Sequence, residues 1–266
     1  MSSDAGYEAI RYTVEDGVAR LTLDRPEAYN SVNRAMAREL CDVAVRADED
    51  PAVRAMLVTG AGKAFCGGGD VKTMAAAGDT LPLLLKQLTT DIHMAISRLQ
   101  RMGKPVVVAV NGAAGGGGMS FALAGDIVLA AQSAKFSLGY AGIGLSPDGS
   151  STYVLPRLVG LRKTLELMLL NPLLSADEAL EMGLINRVLP DDRLMPEAEA
   201  LVRTLADGPT RAHGAVKALL QETFSGTLET QMERESRIMA DVARSADARE
   251  GVQAFAEKRK PRFTGA

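Results

Sequence analysis

The sequence predicts an α/β fold in which strands and helices alternate along the first part of the chain and helices fill the last part. Two observations lead to this prediction. A short apolar strand is followed twice by a glycine-rich loop and the start of a helix. Beyond Ser151, apolar residues recur at helical spacing almost to the C-terminus. Strands joined by crossover helices form a twisted, largely parallel sheet, so we expect one principal α/β core with a helical C-terminal region.

The N-terminal segment is predicted to form a β-hairpin. Apolar residues alternate over residues 7–23 around Asp16-Gly17, a dipeptide typical of a tight turn. Residues 31–48 carry apolar side chains at helical spacing, and Pro51 ends that helix. The apolar run 55–59 then predicts a buried strand, followed by a loop over 61–69 and a short helix over 70–77.

A second unit of the same kind follows. Its apolar run 106–110 lacks alternation and is rich in β-branched residues, which indicates a strand covered on both faces. We expect, in order, a helix over 81–102, that strand, glycines at 115–118, a helix start over 119–124, and strands over 126–131 and 135–138.

Charge and cysteine content narrow the classes of partner and compartment. The formal net charge of −3 gives no excess of Lys and Arg to neutralise nucleic acid or an anionic membrane. Cys41 and Cys66 form no disulfide framework, and the N-terminus shows no signal-peptide pattern, so we expect a cytoplasmic protein. No apolar run is long enough to span a bilayer.

The two glycine-rich loops could bind a carbonyl oxygen. Amides at Gly69 and Gly117 would converge on one oxygen atom if the strands that precede them are neighbours, and such an oxyanion hole stabilises developing negative charge. The alternatives are a flexible loop, close helix-on-strand packing, or phosphate binding. Neither loop has the Gly-x-Gly-x-x-Gly or Gly-Lys-Ser/Thr pattern of nucleotide sites, which disfavours phosphate binding.

Motifs over nearly the whole chain resemble the crotonase, or enoyl-CoA hydratase/isomerase, superfamily. They occur in order at family-like spacing and comprise residues 23–30 (LDRPEAYN), 62–72 (GKAFCGGGDVK), 104–118, Asp126, 155–160 (LPRLVG), 175–185 and 250–263. The active-site pattern is most similar to the enoyl-CoA isomerase branch.

The resemblance implies a ββα superhelical spiral over residues 1–200 that carries an acyl-CoA site. It implies a helical region over 201–266 that forms a homotrimer, or a dimer of trimers. An acyl-CoA thioester would be the partner, with coenzyme A as part of the substrate and no separate cofactor or metal. Gly69 and Gly117 would supply the oxyanion amides. The residues expected to contact substrate or coenzyme A are Arg25, Ala28, Ala64, Cys66, Gly68, Asp70, Val71, Gly116, Tyr140, Lys260 and Phe263.

Two of these residues lie in the C-terminal tail. In the crotonase superfamily, the residues at these tail positions close over the adenine end of coenzyme A, often from a neighbouring subunit. The other interpretation of Lys260 and Phe263 is a solvated basic tail with one packing aromatic ring. For Cys66 we expect a small buried thiol rather than a nucleophile, since no histidine lies near it in sequence.

The chemistry depends on which acidic residues are present. Hydratases of the family use two glutamates, and this chain has Ser120 and Tyr140 at those positions, neither of which serves as a base at neutral pH. Asp148, in a segment that resembles the isomerases, could carry a proton from the α-carbon of a 3-enoyl thioester to its γ-carbon. From the residues alone, Asp148 could instead cap the helix that begins near Ser150.

Two other functions stay open. The segment also resembles aryl-CoA dehalogenases, in which the aspartate is a nucleophile and a histidine stands where this chain has His93; a hydrolase could use Asp148 in the same way. Those enzymes line their ring pocket with tryptophan, which this sequence lacks, and Tyr140 and Ile92 occupy two such places. The third possibility is a catalytically silent acyl-CoA-binding protein.

Overall fold

A computed structural model describes residues 6–266 of the chain. The strands in this range are β1 (Ile10–Glu15), β2 (Val18–Leu23), β3 (Ala55–Gly60), β4 (Ala64–Cys66), β5 (Val106–Val110), β6 (Ala113–Gly115), β7 (Ile127–Ala131), β8 (Lys135–Ser137), β9 (Leu174–Ser175) and β10 (Arg187–Leu189). The helices are α1 (Arg34–Glu49), α2 (Val71–Ala76), α3 (Leu81–Arg101), α4 (Gly117–Ala122), α5 (Ser151–Leu170), α6 (Ala176–Glu181), α7 (Leu194–Ala206), α8 (Thr210–Glu222), α9 (Leu228–Val242) and α10 (Ala246–Ala256).

The strands form two sheets that wind together along the chain as one spiral. The six-stranded sheet has the order β1-β2-β3-β5-β7-β10, and only its β1–β2 hairpin is antiparallel. The four-stranded sheet has the order β4-β6-β8-β9. Each turn adds one strand to each sheet, as β3 with β4, β5 with β6, and β7 with β8. This repeated strand–strand–helix arrangement is the spiral that the family resemblance implied, so that expectation is confirmed.

Helices cover the larger sheet and hold it in one hydrophobic core. The α7 helix packs on β3, β5 and β7, and it runs across residue 200, the predicted boundary of the core. The β5 strand is buried along its whole length, as its unbroken Val-rich run indicated. The α1 helix packs on α3, and its first turn is capped by the Asn33 side chain, which accepts a hydrogen bond from the Met36 amide.

Several short elements differ from the sequence prediction. The segment predicted as a loop over 61–69 contains β4, and β6 lies within the stretch where only glycine loops were expected. The region beyond Ser151 was expected to be helical almost to the end, but β9 pairs with β8 and β10 pairs with β7. The α5 helix is also interrupted at Gly160, whose φ of +75° is outside the helical range. Strands of two or three residues carry too few side chains to show a period of two.

Candidate active site

The two glycine loops leave neighbouring strands. The β4 and β6 strands are a parallel pair, with Cys66 opposite Ala114. The loops that follow them therefore emerge at the same edge of the smaller sheet. Their backbones are in close contact, because a Cβ built on Gly68 would lie 2.8 Å from the Gly115 carbonyl oxygen and 3.3 Å from the Gly117 nitrogen. This adjacency is the condition on which the oxyanion prediction depended.

Close backbone approach explains why glycines are required here. A Cβ on Gly118 would lie only 2.1 Å from the carbonyl oxygen of Cys66, so the first turn of α4 can pack on β4 only without a side chain. Gly68 and Gly116 in addition have φ of +93° and +51°, a backbone region that side chains disfavour. The alternative of close helix-on-strand packing is therefore confirmed at Gly118.

The two glycines proposed as amide donors line a common cavity. Gly69 is held by a parallel bridge to Val32, in which the Val32 amide donates to the Gly68 carbonyl at 2.7 Å and the Asp70 amide donates to the Val32 carbonyl at 3.1 Å. The Gly69 amide takes no part in that bridge. Gly117 is the first residue of α4, where an amide has no acceptor within the helix. Gly69 and Gly117 both line a cavity of about 220 Å³.

We call this cavity the acyl cavity, after the ligand that the family resemblance implies, and its remaining walls are mainly apolar. One face of α3 contributes most of them, and Val32, Met74 and Leu145 add to it. The α3 residues are Leu85, Leu88, Thr89, Ile92 and Ile96. Asp148 and Tyr140 lie on the same cavity as the two glycines. The arrangement combines an apolar wall with two glycines and one carboxyl group.

The Asp148 side chain is held between two aromatic side chains. Its Oδ1 accepts a hydrogen bond from the Tyr140 phenol at 2.5 Å, and its Oδ2 lies 3.2 Å from Nε2 of His93. A Cβ built on Gly117 would lie 3.9 Å from Oδ1. The backbone carbonyl of Asp148, not its carboxylate, accepts from the amide and the hydroxyl of Ser151 at the start of α5. The interpretation of the Asp148 side chain as a helix cap is therefore wrong.

Tyr140 is linked onward to Ser120. The two hydroxyl oxygens are 3.2 Å apart, and both side chains are buried. Burial, and after it the negative charge of Asp148, raise the pKa of Tyr140 well above its usual value. The phenol therefore remains protonated and donates to Asp148. The sequence suggested a substrate contact for Tyr140 but gave no sign of this bond to Asp148, which depends on the path of the intervening loop.

Arg25, which is predicted to contact coenzyme A, is hydrogen-bonded to the end of the first glycine loop. The Arg25 guanidinium donates to the Ser31 carbonyl and to Asp70, at 2.5 and 3.1 Å. Asp70 also caps α2 by accepting from the Thr73 amide. Burial alone would raise the pKa of Asp70, but the Thr73 amide and the Arg25 charge outweigh it and lower that pKa.

Other predicted contact residues surround this junction. Ala28 is half-buried at the end of a short turn, and Val71 is exposed at the start of α2. Sequence reasoning gave no role to Asn30, whose buried amide group donates to the Ala61 and Ala64 carbonyls and whose oxygen accepts from the Arg25 amide. Its only sequence signal was its place in the motif over residues 23–30, and its positive φ of +55° is known from the structure alone.

Ala64 and Cys66 lie in β4 with their side chains buried. Burial raises the pKa of the Cys66 thiol to about 11, so it is uncharged at neutral pH. Both cysteines are free thiols. The expectation of a small buried thiol at Cys66 is confirmed.

The two tail residues do not meet the acyl cavity within one chain. The Phe263 ring packs near Gly251 of α10, with a ring atom 3.3 Å from the position of a Cβ there. Lys260 lines a separate cavity of about 740 Å³ with Arg259, Arg262 and Glu250. Their predicted contact with the adenine of coenzyme A from a neighbouring subunit stays a prediction.

Two further findings concern residues 6–266 only. No helix in that range is long and apolar enough to cross a membrane. No group of three or more His, Cys, Asp or Glu side chains in the same range could hold a metal ion.

The spiral fold and the paired glycine loops define an enzyme of the crotonase class. The sequence model described as enoyl-CoA hydratase/isomerase matches residues 13–266. The chain belongs to the enoyl-CoA hydratase/isomerase family.

Named relatives and solved structures agree with this membership. A protein of Rhodobacter capsulatus named "probable enoyl-CoA hydratase" is 42% identical over 97% of this chain and 99% of its own. The Escherichia coli protein named 1,2-epoxyphenylacetyl-CoA isomerase is 41% identical, with the same coverage of 97% and 99%. The crystal structure of an enoyl-CoA hydratase from Polaromonas sp. JS666 superposes with a TM-score of 0.92 at 32% identity, over 97% of this chain and all of that one.

Proposed function

We propose that this enzyme shifts the double bond of a 3-enoyl-CoA to give the 2-enoyl-CoA. Asp148 would be the single acid/base, and the amides of Gly69 and Gly117 would hold the thioester oxygen. One observation carries the proposal: the Asp148 carboxylate lines the same apolar cavity as the two glycines, with Oδ1 3.9 Å from the Cβ position of Gly117. A proton acceptor is thus available beside the site where a carbonyl would be polarised.

The reaction needs one carboxylate because the same proton is removed and returned. Asp148 takes a proton from the α-carbon, and the electron pair of that C–H bond forms a dienolate whose charge rests on the thioester oxygen. The two amides stabilise that charge, and loss of one such donor typically costs ~10²- to 10³-fold in rate. The Asp148 acid then gives its proton to the γ-carbon, and the double bond moves next to the carbonyl.

Hydration is a weaker candidate for this chain. It would require a base that activates water and a second acid. The hydratase positions hold Ser120 and Tyr140, and the Tyr140 phenol is already committed as a donor to Asp148. A serine hydroxyl and a phenol of raised pKa do not replace two carboxylates at neutral pH.

The substrate would enter as its coenzyme A thioester, with no separate cofactor. The junction of Arg25, Ala28 and Val71 and the adjoining β4 residues would line the pantetheine and adenine ends. Lys260 and Phe263 would close over the adenine from a neighbouring subunit of a homotrimer, or of a dimer of trimers. The apolar α3 wall would hold the acyl group.

The test is a substrate panel with wild type and Asp148→Asn. The panel contains a 3-enoyl-CoA, a 2-enoyl-CoA and an aryl-CoA; the name of the E. coli relative adds an epoxide of an arylacetyl-CoA. We expect 3-to-2 isomerisation by wild type and a loss of ~10²- to 10⁴-fold in the variant, since a positioned acid/base contributes that much. Thioester affinity should survive. Hydration activity untouched by Asp148→Asn would contradict the catalytic assignment.

A second candidate is supported by His93. Its Nε2 lies 3.2 Å from Asp148, as a dehalogenase- or hydrolase-like enzyme would need if Asp148 were the nucleophile and His93 the base for the second step. In that chemistry Asp148 displaces halide from an aryl carbon, and water then cleaves the aryl ester. Halide release from a 4-haloaryl-CoA would favour this candidate. Binding of every thioester without turnover would favour a silent binding protein.

A further inference from the structure

The C-terminal tail, residues 260–266, folds back along α10. The Arg262 amide donates to the Glu250 carboxylate at 2.9 Å. One helical turn from Glu250, the Phe263 ring packs near Gly251, with a ring atom 3.3 Å from the position of a Cβ there. Specific contacts therefore hold the tail against the helix that precedes it.

A buried carboxylate in the first turn of α10 anchors the far end of the tail. Asp247 is only 2% exposed. Its Oδ1 accepts from the amide and the hydroxyl of Thr264 at 2.7 and 3.2 Å, and its Oδ2 accepts from the Gly265 amide at 2.8 Å. The Asp247 amide in turn donates to the Ala266 carbonyl at 3.0 Å. Later tail residues thus contact earlier residues of α10, so the tail runs antiparallel to the helix.

The burial of Asp247 makes these hydrogen bonds important. A buried charge is costly unless hydrogen bonds compensate for its lost contact with water. For the Asp247 carboxylate, the donors are Thr264 and Gly265, both of which belong to the tail. Release of the tail would leave the carboxylate without those donors, and docking of the tail is favoured as a result.

A second contact joins the tail to the spiral core. The guanidinium of Arg54, which directly precedes β3, donates to the Phe263 carbonyl at 3.3 Å. The same group donates to the Gly208 carbonyl at 2.7 Å and to the Thr210 hydroxyl at 3.2 Å, near the start of α8. The backbone of the tail is therefore fixed on both sides, whereas Lys260 is exposed.

We propose that Asp247 is a positioning residue for coenzyme A binding, because it holds the tail in the conformation in which Lys260 and Phe263 close over the adenine end. The inference rests on the proposed function, in which these two residues meet the adenine. Asp247 acts through the tail, whose amides occupy its carboxylate oxygens. If only the docked tail is competent to bind, the apparent Kd rises in proportion as the docked fraction falls.

The test compares two ligands that differ only at the adenine end. One is a saturated acyl-CoA, and the other is the matching acyl-pantetheine, which lacks the adenosine and its phosphates. Neither has a double bond to shift, so isothermal titration calorimetry measures binding without turnover. In Asp247→Asn the side chain keeps its size, but an NH₂ group replaces one acceptor and faces a tail donor.

We expect the Kd of Asp247→Asn for acyl-CoA to rise about tenfold or more, since a hydrogen bond to a charged group shifts an equilibrium by roughly 10- to 150-fold. The Kd for acyl-pantetheine should stay at the wild-type value. A general loss of structure would weaken both ligands together, so the difference between them reports on the tail.

Gly265→Pro is a second variant that leaves α10 unaltered. Proline has no amide donor and cannot adopt the φ of +85° found at Gly265, so the tail should detach from Asp247. We expect the same selective loss of acyl-CoA affinity, and this variant decides the question if Asp247→Asn does not fold. The matched control is Asp241→Asn, which makes the same charge change on the exposed surface of α9 and should bind both ligands as wild type does.

Wild-type acyl-CoA affinity in both tail variants would overturn the inference, and so would equal weakening of the two ligands. A wild type that binds acyl-CoA no more tightly than acyl-pantetheine would also overturn it. A wild type that binds acyl-CoA more tightly but does not isomerise a 3-enoyl-CoA would instead contradict the proposed function.

Discussion

The phenol of Tyr140 donates a 2.5 Å hydrogen bond to Oδ1 of Asp148, the carboxylate oxygen that lies 3.9 Å from the Cβ position of Gly117. The sequence resemblance places Tyr140 where hydratases of the family carry a glutamate, and Tyr140 lines the same cavity as Asp148. The bond fixes the orientation of the carboxylate toward the oxyanion loop.

Replacing Tyr140 with Phe should therefore impair turnover more than binding. A hydrogen bond to a charged group contributes ~1.5–3 kcal/mol, which corresponds to roughly 10- to 150-fold in kcat. Steady-state kinetics measure kcat and KM separately. Ser120→Ala retains the Tyr140–Asp148 bond and should lose less kcat than Tyr140→Phe.

The alkaline side of the pH–rate profile should not depend on ionisation of Tyr140. Burial and the Asp148 charge raise the pKa of the phenol, so it stays a donor beyond pH ~10, where an ordinary tyrosine ionises. We expect no loss of kcat from ionisation of Tyr140 up to that pH. An alkaline limb below pH 10 that Tyr140→Phe abolishes would contradict this.

Replacement by alanine should have different effects at two adjacent glycines, lowering activity at Gly117 and stability at Gly118. A Cβ on Gly117 meets Tyr140 Oη at 3.6 Å, an ordinary contact, so Gly117→Ala should fold normally. The added methyl fills the space beside the proposed donor amide, and we expect kcat/KM to fall by ~10²-fold, as for loss of an oxyanion donor. A Cβ on Gly118 meets the Cys66 carbonyl at 2.1 Å. Gly118→Ala should therefore lower the free energy of unfolding by ~1–3 kcal/mol or more.

Urea unfolding and kinetics on both variants test this pair. Equal loss of stability in the two, or full activity of Gly117→Ala, would contradict the assignment of Gly117.

Asp70 should stabilise the fold only above acidic pH. Asp70→Ala removes the cap of α2 and the partner of Arg25, and we expect a loss of ~1–2 kcal/mol in unfolding free energy at pH 7. Because the pKa of Asp70 is lowered in the folded protein, its contribution is fully present above the unfolded value near ~4 and is lost as pH falls through the folded value. Denaturant unfolding at several pH values measures this. Asp79→Ala, an exposed neighbour with the same charge change, is the control; a difference from wild type that persists at pH ~2 would contradict the prediction.

Shortening an α3 side chain that lines the acyl cavity should enlarge the cavity. Ile92 lines the cavity, and Ile92→Ala should improve kcat/KM for longer acyl chains relative to short ones. Each methylene that gains burial contributes about 0.8 kcal/mol, or roughly fourfold. A series of 3-enoyl-CoA chain lengths measures the ratio. Met94→Ala alters an exposed side chain of the same helix and should leave the ratio unchanged.

Long, periodic elements were predictable from the sequence. The β1–β2 hairpin, α1, β3, α3 and β5 follow from alternation, helical spacing and an unbroken apolar run. The glycine pattern allowed the two loops to meet only if their strands were neighbours, and the pairing of β4 with β6 meets that condition. The requirement for glycine at Gly68 and Gly118 follows from contacts in the structure that leave no room for a Cβ.

The hydrogen bonds of Asp148 could not be read from the sequence. Tyr140 and Asp148 lie on one irregular segment, whose path has no period, and His93 lies on a distant helix. The short strands β9 and β10 were missed because their partners, β8 and β7, lie far away in sequence and determine their conformation. Within one chain, Phe263 packs near Gly251 and Lys260 lines a separate cavity, so their predicted contact with coenzyme A stays a prediction.

The bridge between Val32 and Gly69 ties one half of the proposed oxyanion hole to the connection between the first hairpin and α1. An engineer who lengthens that connection, or exchanges it with a homologue's, would move Gly69 without altering any residue of its own loop. Grafts of the first glycine loop should therefore carry both segments together. Screens for altered substrate range could likewise place insertions in the N-terminal connection, which also carries Val32 of the acyl cavity wall.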